Sequence, residues 1–134
     1  MKPTKYMIVI YGKDNCPHCK ELQKIVDEIL HTKPLDFFAD VQNLSTRKGL
    51  VAYAKTETIN GQRIPALQIM KWNDASKKYE KIHDQRNPVY NQQNGIEYLP
   101  TYLQLQTDYA NHQYITKEDI LKLMEVAKEQ DKDE

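Results

Sequence analysis

The sequence predicts an α/β fold, a central mixed four-stranded sheet flanked by helices. Three observations predict it. Short apolar runs alternate with segments of helical periodicity in the order β-α-β-α-β-β. The opening strand–helix–strand unit calls for two parallel strands joined by a right-handed crossover. A turn at Asn73-Asp74-Ala75-Ser76 then folds a further strand back on its predecessor, which makes the sheet mixed. At 134 residues the chain is expected to form one domain, residues 1–134, with 84–115 as an additional loop or hairpin before the last helix.

Each element has a local cause. Tyr6 to Tyr11 (YMIVIY) reads as a buried strand, followed by a turn over 12–15. Pro17 suits the first helical position, where its missing N–H is no loss. Leu22, Ile25, Val26, Ile29 and Leu30 recur at helical spacing, and Pro34 stops the segment. Leu35 to Val41 is the second strand. Ser45 or Thr46 caps a second helix to about residue 55, with Leu50, Val51 and Ala54 expected inward. Asn60-Gly61 marks a turn, Ile64 to Met70 the third strand, and Tyr79 to Ile82 the returning one. Residues 84–97 are polar and read as a loop. Tyr98 to Leu105 and then Gln113 to Ile115 form further apolar segments. Thr116 and Asp119 open the last helix as a capping pair, with Ile120, Leu121, Met124 and Ala127 as its buried stripe. Residues 129–134 read as a frayed charged tail.

Composition excludes some functions. Lys plus Arg is 19 and Asp plus Glu is 19, and the basic residues are scattered, so no nucleic-acid partner is expected. No apolar run approaches spanning length, so no membrane partner is expected either. No secretory signal pattern follows Met1, which implies a cytoplasmic, reducing setting. A monomer is expected.

The chain has two cysteines, Cys16 and Cys19, in the stretch Cys16-Pro17-His18-Cys19 between the first strand and the first helix. In a reducing compartment such a pair is more often catalytic or metal-binding than a structural staple. The thiolate is the nucleophile, and a free cysteine titrates near pH ~8.5. Unpaired N–H groups and the macrodipole at a helix start stabilise negative charge. Cys16 is therefore expected to attack and Cys19, one turn on and more buried, to resolve. Pro17 and His18 tune the pair: Pro17 restricts the loop, and His18 adds a stabiliser of the Cys16 thiolate. Stabilising the reduced form makes the disulfide a stronger oxidant. A proline opposite the cysteines completes the expected site. Pro65, after Ile64, is favoured for a cis peptide bond there, with Pro100 as its rival.

These residues resemble a glutaredoxin, within the thioredoxin-fold superfamily. The similarity lies in Tyr11-Gly12-Lys13-Asp14-Asn15-Cys16-Pro17-His18-Cys19 and Arg63-Ile64-Pro65-Ala66, and extends over about residues 5–83 and the final helix. It implies a thioredoxin-like fold and thiol–disulfide oxidoreductase activity on protein disulfides or glutathione mixed disulfides. It also implies glutathione as co-substrate with no bound cofactor or metal. Lys13 would hold a glutathione carboxylate or the Cys16 thiolate, and the backbone of Ile64, beside Pro65, would hold the peptide next to the substrate sulfur. His18 stands where the family pattern has Tyr. The alternatives are a zinc half-site at the two cysteines and a redox-inactive interaction module. Isolated His31, His83 and His112 supply no second ligand pair for zinc.

Overall fold

Strand β1 (Tyr6–Gly12) is apolar on both faces and nearly wholly buried, so it has to run through the middle of a sheet covered on both sides. The computed structural model describes residues 4–32, 36–56, 64–82, 89–91, 97–99 and 102–132. Around β1 come α1 (Pro17–His31), β2 (Phe37–Asn43), α2 (Arg47–Ala54), β3 (Ala66–Asn73) and β4 (Lys78–Lys81). Then follow β5 (Val89–Asn91), β6 (Glu97–Leu99), β7 (Gln104–Gln106) and α3 (Lys117–Lys132).

The expected β-α-β-α-β-β order and mixed sheet are present, an arrangement consistent with a thioredoxin-like fold. The strands run in the order β2-β1-β3-β4. β1 and β2 are parallel, with Tyr6 opposite Phe37 and Gly12 opposite Asn43. β1 and β3 are antiparallel, with Tyr11 opposite Ala66. The far edge of β3 is shared. β4 pairs with Met70–Asn73, and β7 pairs with Ala66–Gln68. Leu103 joins the two: its N–H donates to the Ile82 carbonyl, and its own carbonyl accepts from the Ile69 N–H. β7 thus adds a fifth strand to the expected four.

Alternation along β1 sends side chains to two unequal layers. Tyr6, Ile8 and Ile10, with Leu67 and Ile69 of β3, meet Leu22, Val26 and Ile29 of α1 and Ile120, Leu123, Met124 and Ala127 of α3. On the other face Val9, Tyr11, Ile64 and Ala66 meet only partly buried neighbours, including Ala52 and Tyr53 of α2. A cavity of about 540 Å³ remains on that side, with Val9, Tyr11, Asp40, Ala52 and Gln68 among its lining.

Several expectations need correction. Leu50 and Val51 are about half exposed and Ala54 is exposed, not inward. The helix instead rests on Gly49, where a Cβ would overlap the Asn43 backbone, so the inward face is 49, 52 and 53. Leu121 is 41 % exposed, and Leu123 takes its place in the core. Of the tail expected over 129–134, residues 129–132 continue α3, and 133–134 lie outside the described residues. The apolar run from Tyr98 is split between β6 and β7, and the loop expected over 84–97 contains β5, which pairs antiparallel with β6. Gln113 forms a single bridge with Asp108. Pro34, Asn60-Gly61, Arg63 and Pro100 lie outside the described residues.

Candidate active site

The first helix begins at a sulfur atom. Cys16 is the N-cap of α1, with extended backbone (φ −114°, ψ 103°). Its Sγ accepts a hydrogen bond from the Cys19 N–H at 3.1 Å. Pro17 is the first helical residue, as expected of a residue with fixed φ and no N–H. Cys16 and Cys19 are joined as a disulfide, with Cα atoms 5.2 Å apart. Both are buried, Cys19 more so (2 % exposed against 6 %), because it continues the inward row of Leu22, Val26 and Ile29.

Gly12 makes room for the pair. A Cβ there would stand 3.1 Å from Cys19 Cβ and 3.2 Å from its Sγ, tighter than an ordinary side-chain contact. Beyond it the chain turns through Asn15 at φ 58°, a left-handed conformation that asparagine tolerates. The turn is held from the side by the end of β2 and the turn that follows it. Ser45 Oγ accepts from the Asp14 N–H at 3.0 Å, Asn43 Nδ2 donates to Asp14 Oδ1 at 2.8 Å, and the Leu44 N–H donates to the Gly12 carbonyl at 2.7 Å. Lys13 projects from this turn and is exposed.

The sheet register brings the proline to the same end. Tyr11 faces Ala66, so Pro65 lies just past the last paired residue, where Gly12 leads toward Cys16. The Ile64-Pro65 bond is cis, as favoured from the sequence. Ile64 is 5 % exposed and Pro65 is buried. The carbonyls of both are engaged. Tyr109 Oη donates to the Ile64 carbonyl and Thr107 Oγ1 to the Pro65 carbonyl, each at 2.8 Å. Tyr109 belongs to a short hairpin closed by reciprocal backbone bonds between Asp108 and Gln113.

That hairpin also reaches the cysteine loop. The His18 ring stacks on Tyr114 with centroids 4.6 Å apart and tilts against Tyr109 at 5.7 Å. Burial, and secondarily Tyr114, push the Tyr109 hydroxyl above its ordinary pKa, so it stays a protonated donor at neutral pH. On the thinner face burial and the Asp40 carboxylate push Tyr11 up to about 12.

Cys16, Pro17, His18, Cys19, Ile64 and Pro65 therefore share one end of the sheet, with Lys13 on the adjoining turn. The sequence assigns no packing role to Gly12, no support of the turn to Asn43 and Ser45, and no contact with the cysteine loop or with Ile64-Pro65 to Thr107, Tyr109 and Tyr114. The tyrosines carried a compositional signal, five of them within 84–115, but no spacing that ties Tyr109 to residue 64 across the fold. The described residues contain no cluster of three or more His, Cys, Asp or Glu side chains placed to hold a metal ion, and no helix long and apolar enough to cross a membrane. No protein-family model matches the chain, and no curated protein matches it.

Proposed function

We propose that the chain is a glutaredoxin-like thiol–disulfide oxidoreductase of the cytosol that works as a monomer. The observation that carries this reading is the Cys16–Cys19 disulfide at the N-terminus of α1, with Cys16 as the capping residue. In the reduced protein the Cys19 N–H and the helix start face the Cys16 thiol, and their dipoles favour its anion. The Cys16 thiolate attacks a substrate disulfide. One substrate sulfur leaves as a thiolate and takes a proton from solvent, while the other stays bonded to Cys16. Cys19 loses its proton and attacks Cys16 Sγ, and the second substrate thiol departs. Two electrons pass to the substrate, and the enzyme is left with the Cys16–Cys19 disulfide. Two equivalents of a thiol such as glutathione restore the dithiol and are themselves oxidised to a disulfide. Protein disulfides and glutathione mixed disulfides are the substrate class. Pro17 and His18 tune the pair, Lys13 attracts a substrate carboxylate, and Ile64 and Pro65 lie beside the substrate sulfur.

Trapping tests the assignment. Incubated with oxidised glutathione, Cys19→Ser should accumulate a single glutathione adduct by intact mass, located on Cys16, and Cys16→Ser should form none and reduce no disulfide. Equal trapping by the two variants would refute the order of attack.

A further inference from the structure

The hairpin over 107–114 bears on which disulfides reach Cys16. Rested on the redox reading above, the geometry points to Tyr109 as a specificity-determining residue that favours low-molecular-weight disulfides over disulfides held in extended polypeptide.

A polypeptide whose cysteine reaches Cys16 lays its main chain against the strand end beside it, and such docking takes its affinity from main-chain hydrogen bonds. The backbone at that end of β3 belongs to Ile64 and Pro65, which precede the first residue paired with β1. Both carbonyls are already taken from within the chain, by the Tyr109 hydroxyl and the Thr107 hydroxyl. A carbonyl oxygen has a second lone pair, so the hydroxyl alone does not close it. The hairpin is anchored at its other side as well, since the Tyr114 ring lies flat on His18 and Tyr109 meets both rings. One aromatic unit thus joins the residue between the cysteines to the carbonyl before the cis-proline. A small disulfide needs only the sulfur of Cys16. The N–H of an extended peptide competes with the Tyr109 hydroxyl for the Ile64 carbonyl.

Tyr109→Phe removes the hydroxyl and keeps the ring, which is 40 % exposed and tolerates the change. The reduced, desalted protein is mixed with either bis(2-hydroxyethyl) disulfide or an extended hexapeptide carrying one central cysteine as its mixed disulfide with 2-mercaptoethanol. The reaction is quenched with acid and followed by intact mass. In each case Cys16 takes one sulfur and the other leaves as a thiol. Relative to the original protein, the variant should gain about 5-fold in second-order rate constant with the hexapeptide, the scale of one hydrogen bond. It should change less than about 2-fold with the small disulfide. Equal changes with both substrates, or a loss with the hexapeptide, would overturn the role of Tyr109 while leaving the redox reading intact. Failure of the original protein to react with either disulfide would overturn the redox reading and this inference with it.

Discussion

Helices α1 and α2 start the same way and end up doing different things. Each has an extended N-cap residue whose side chain accepts from the N–H three positions on, at 3.1 Å in both. In α2 the acceptor is the hydroxyl of Thr46, and in α1 it is the sulfur of Cys16. The capping geometry is common property; the chemistry comes from the atom placed in it. The helices differ in support too. α1 buries Cys19, Leu22, Val26 and Ile29 in a layer shared with α3, whereas α2 buries only Gly49 and leaves a cavity beside it. A well-packed helix carries the disulfide at its start, and the turn in front of it is braced by Asn43 at the end of β2 and by Ser45 in the turn leading into the thinly packed α2.

The largest loss is expected at Gly49. Alanine normally favours a helix over glycine, but here its Cβ would overlap the Asn43 backbone. Gly49→Ala should cost about 3 kcal/mol in urea unfolding of the oxidised protein, the upper range for a forced overlap. A neutral or stabilising effect would mean that α2 does not rest on β2 as described.

Next in size is the alkaline limb of stability on the same face. In the folded chain burial and the Asp40 carboxylate push Tyr11 up to about 12, against about 10 for an ordinary tyrosine. The folded state therefore holds a proton that the unfolded chain releases first. The stabilisation is complete below pH 10 and is lost as pH rises toward 12. Over that window the original protein should lose about 2–3 kcal/mol more than Tyr11→Phe. Parallel pH profiles for the two would show that Tyr11 is not buried beside Asp40.

The smallest effect is expected at the ordinary cap. Thr46→Ala removes the acceptor of the Gly49 N–H and should lower stability by about 1 kcal/mol. Its rate of reaction with bis(2-hydroxyethyl) disulfide should stay within about 2-fold. A loss of rate far beyond the loss of stability would show that the brace of Asn43 and Ser45 on the Asp14 turn depends on this cap.

Much of this was legible locally. The strand–helix–strand opening, the cysteine loop at a helix start and the Thr116–Asp119 capping pair follow from short-range rules, and the reciprocal bonds of that pair are present. The inward face of α2 was not legible. Leu50, Val51 and Ala54 fit a helical stripe as well as Gly49, Ala52 and Tyr53 do, and what decides is a close approach of backbones that hydropathy does not register. β7 was also hidden, because its three residues, Gln104 to Gln106, gain strand geometry only by filling the part of β3 that β4 leaves unpaired. The bond from Tyr109 to Ile64 spans 45 positions and rests on that same strand placement, so no local pattern announces it.

In the reduced protein the start of α1 should hold the Cys16 sulfur as an anion. The measurement that tests it most directly is the rate of iodoacetamide alkylation of the reduced protein from pH 4 to pH 10, with the modified cysteine identified by mass. Cys16 should react first, with its half-maximal rate well below the ~8.5 of a free thiol. A Cys16 profile centred at or above that value would contradict the account.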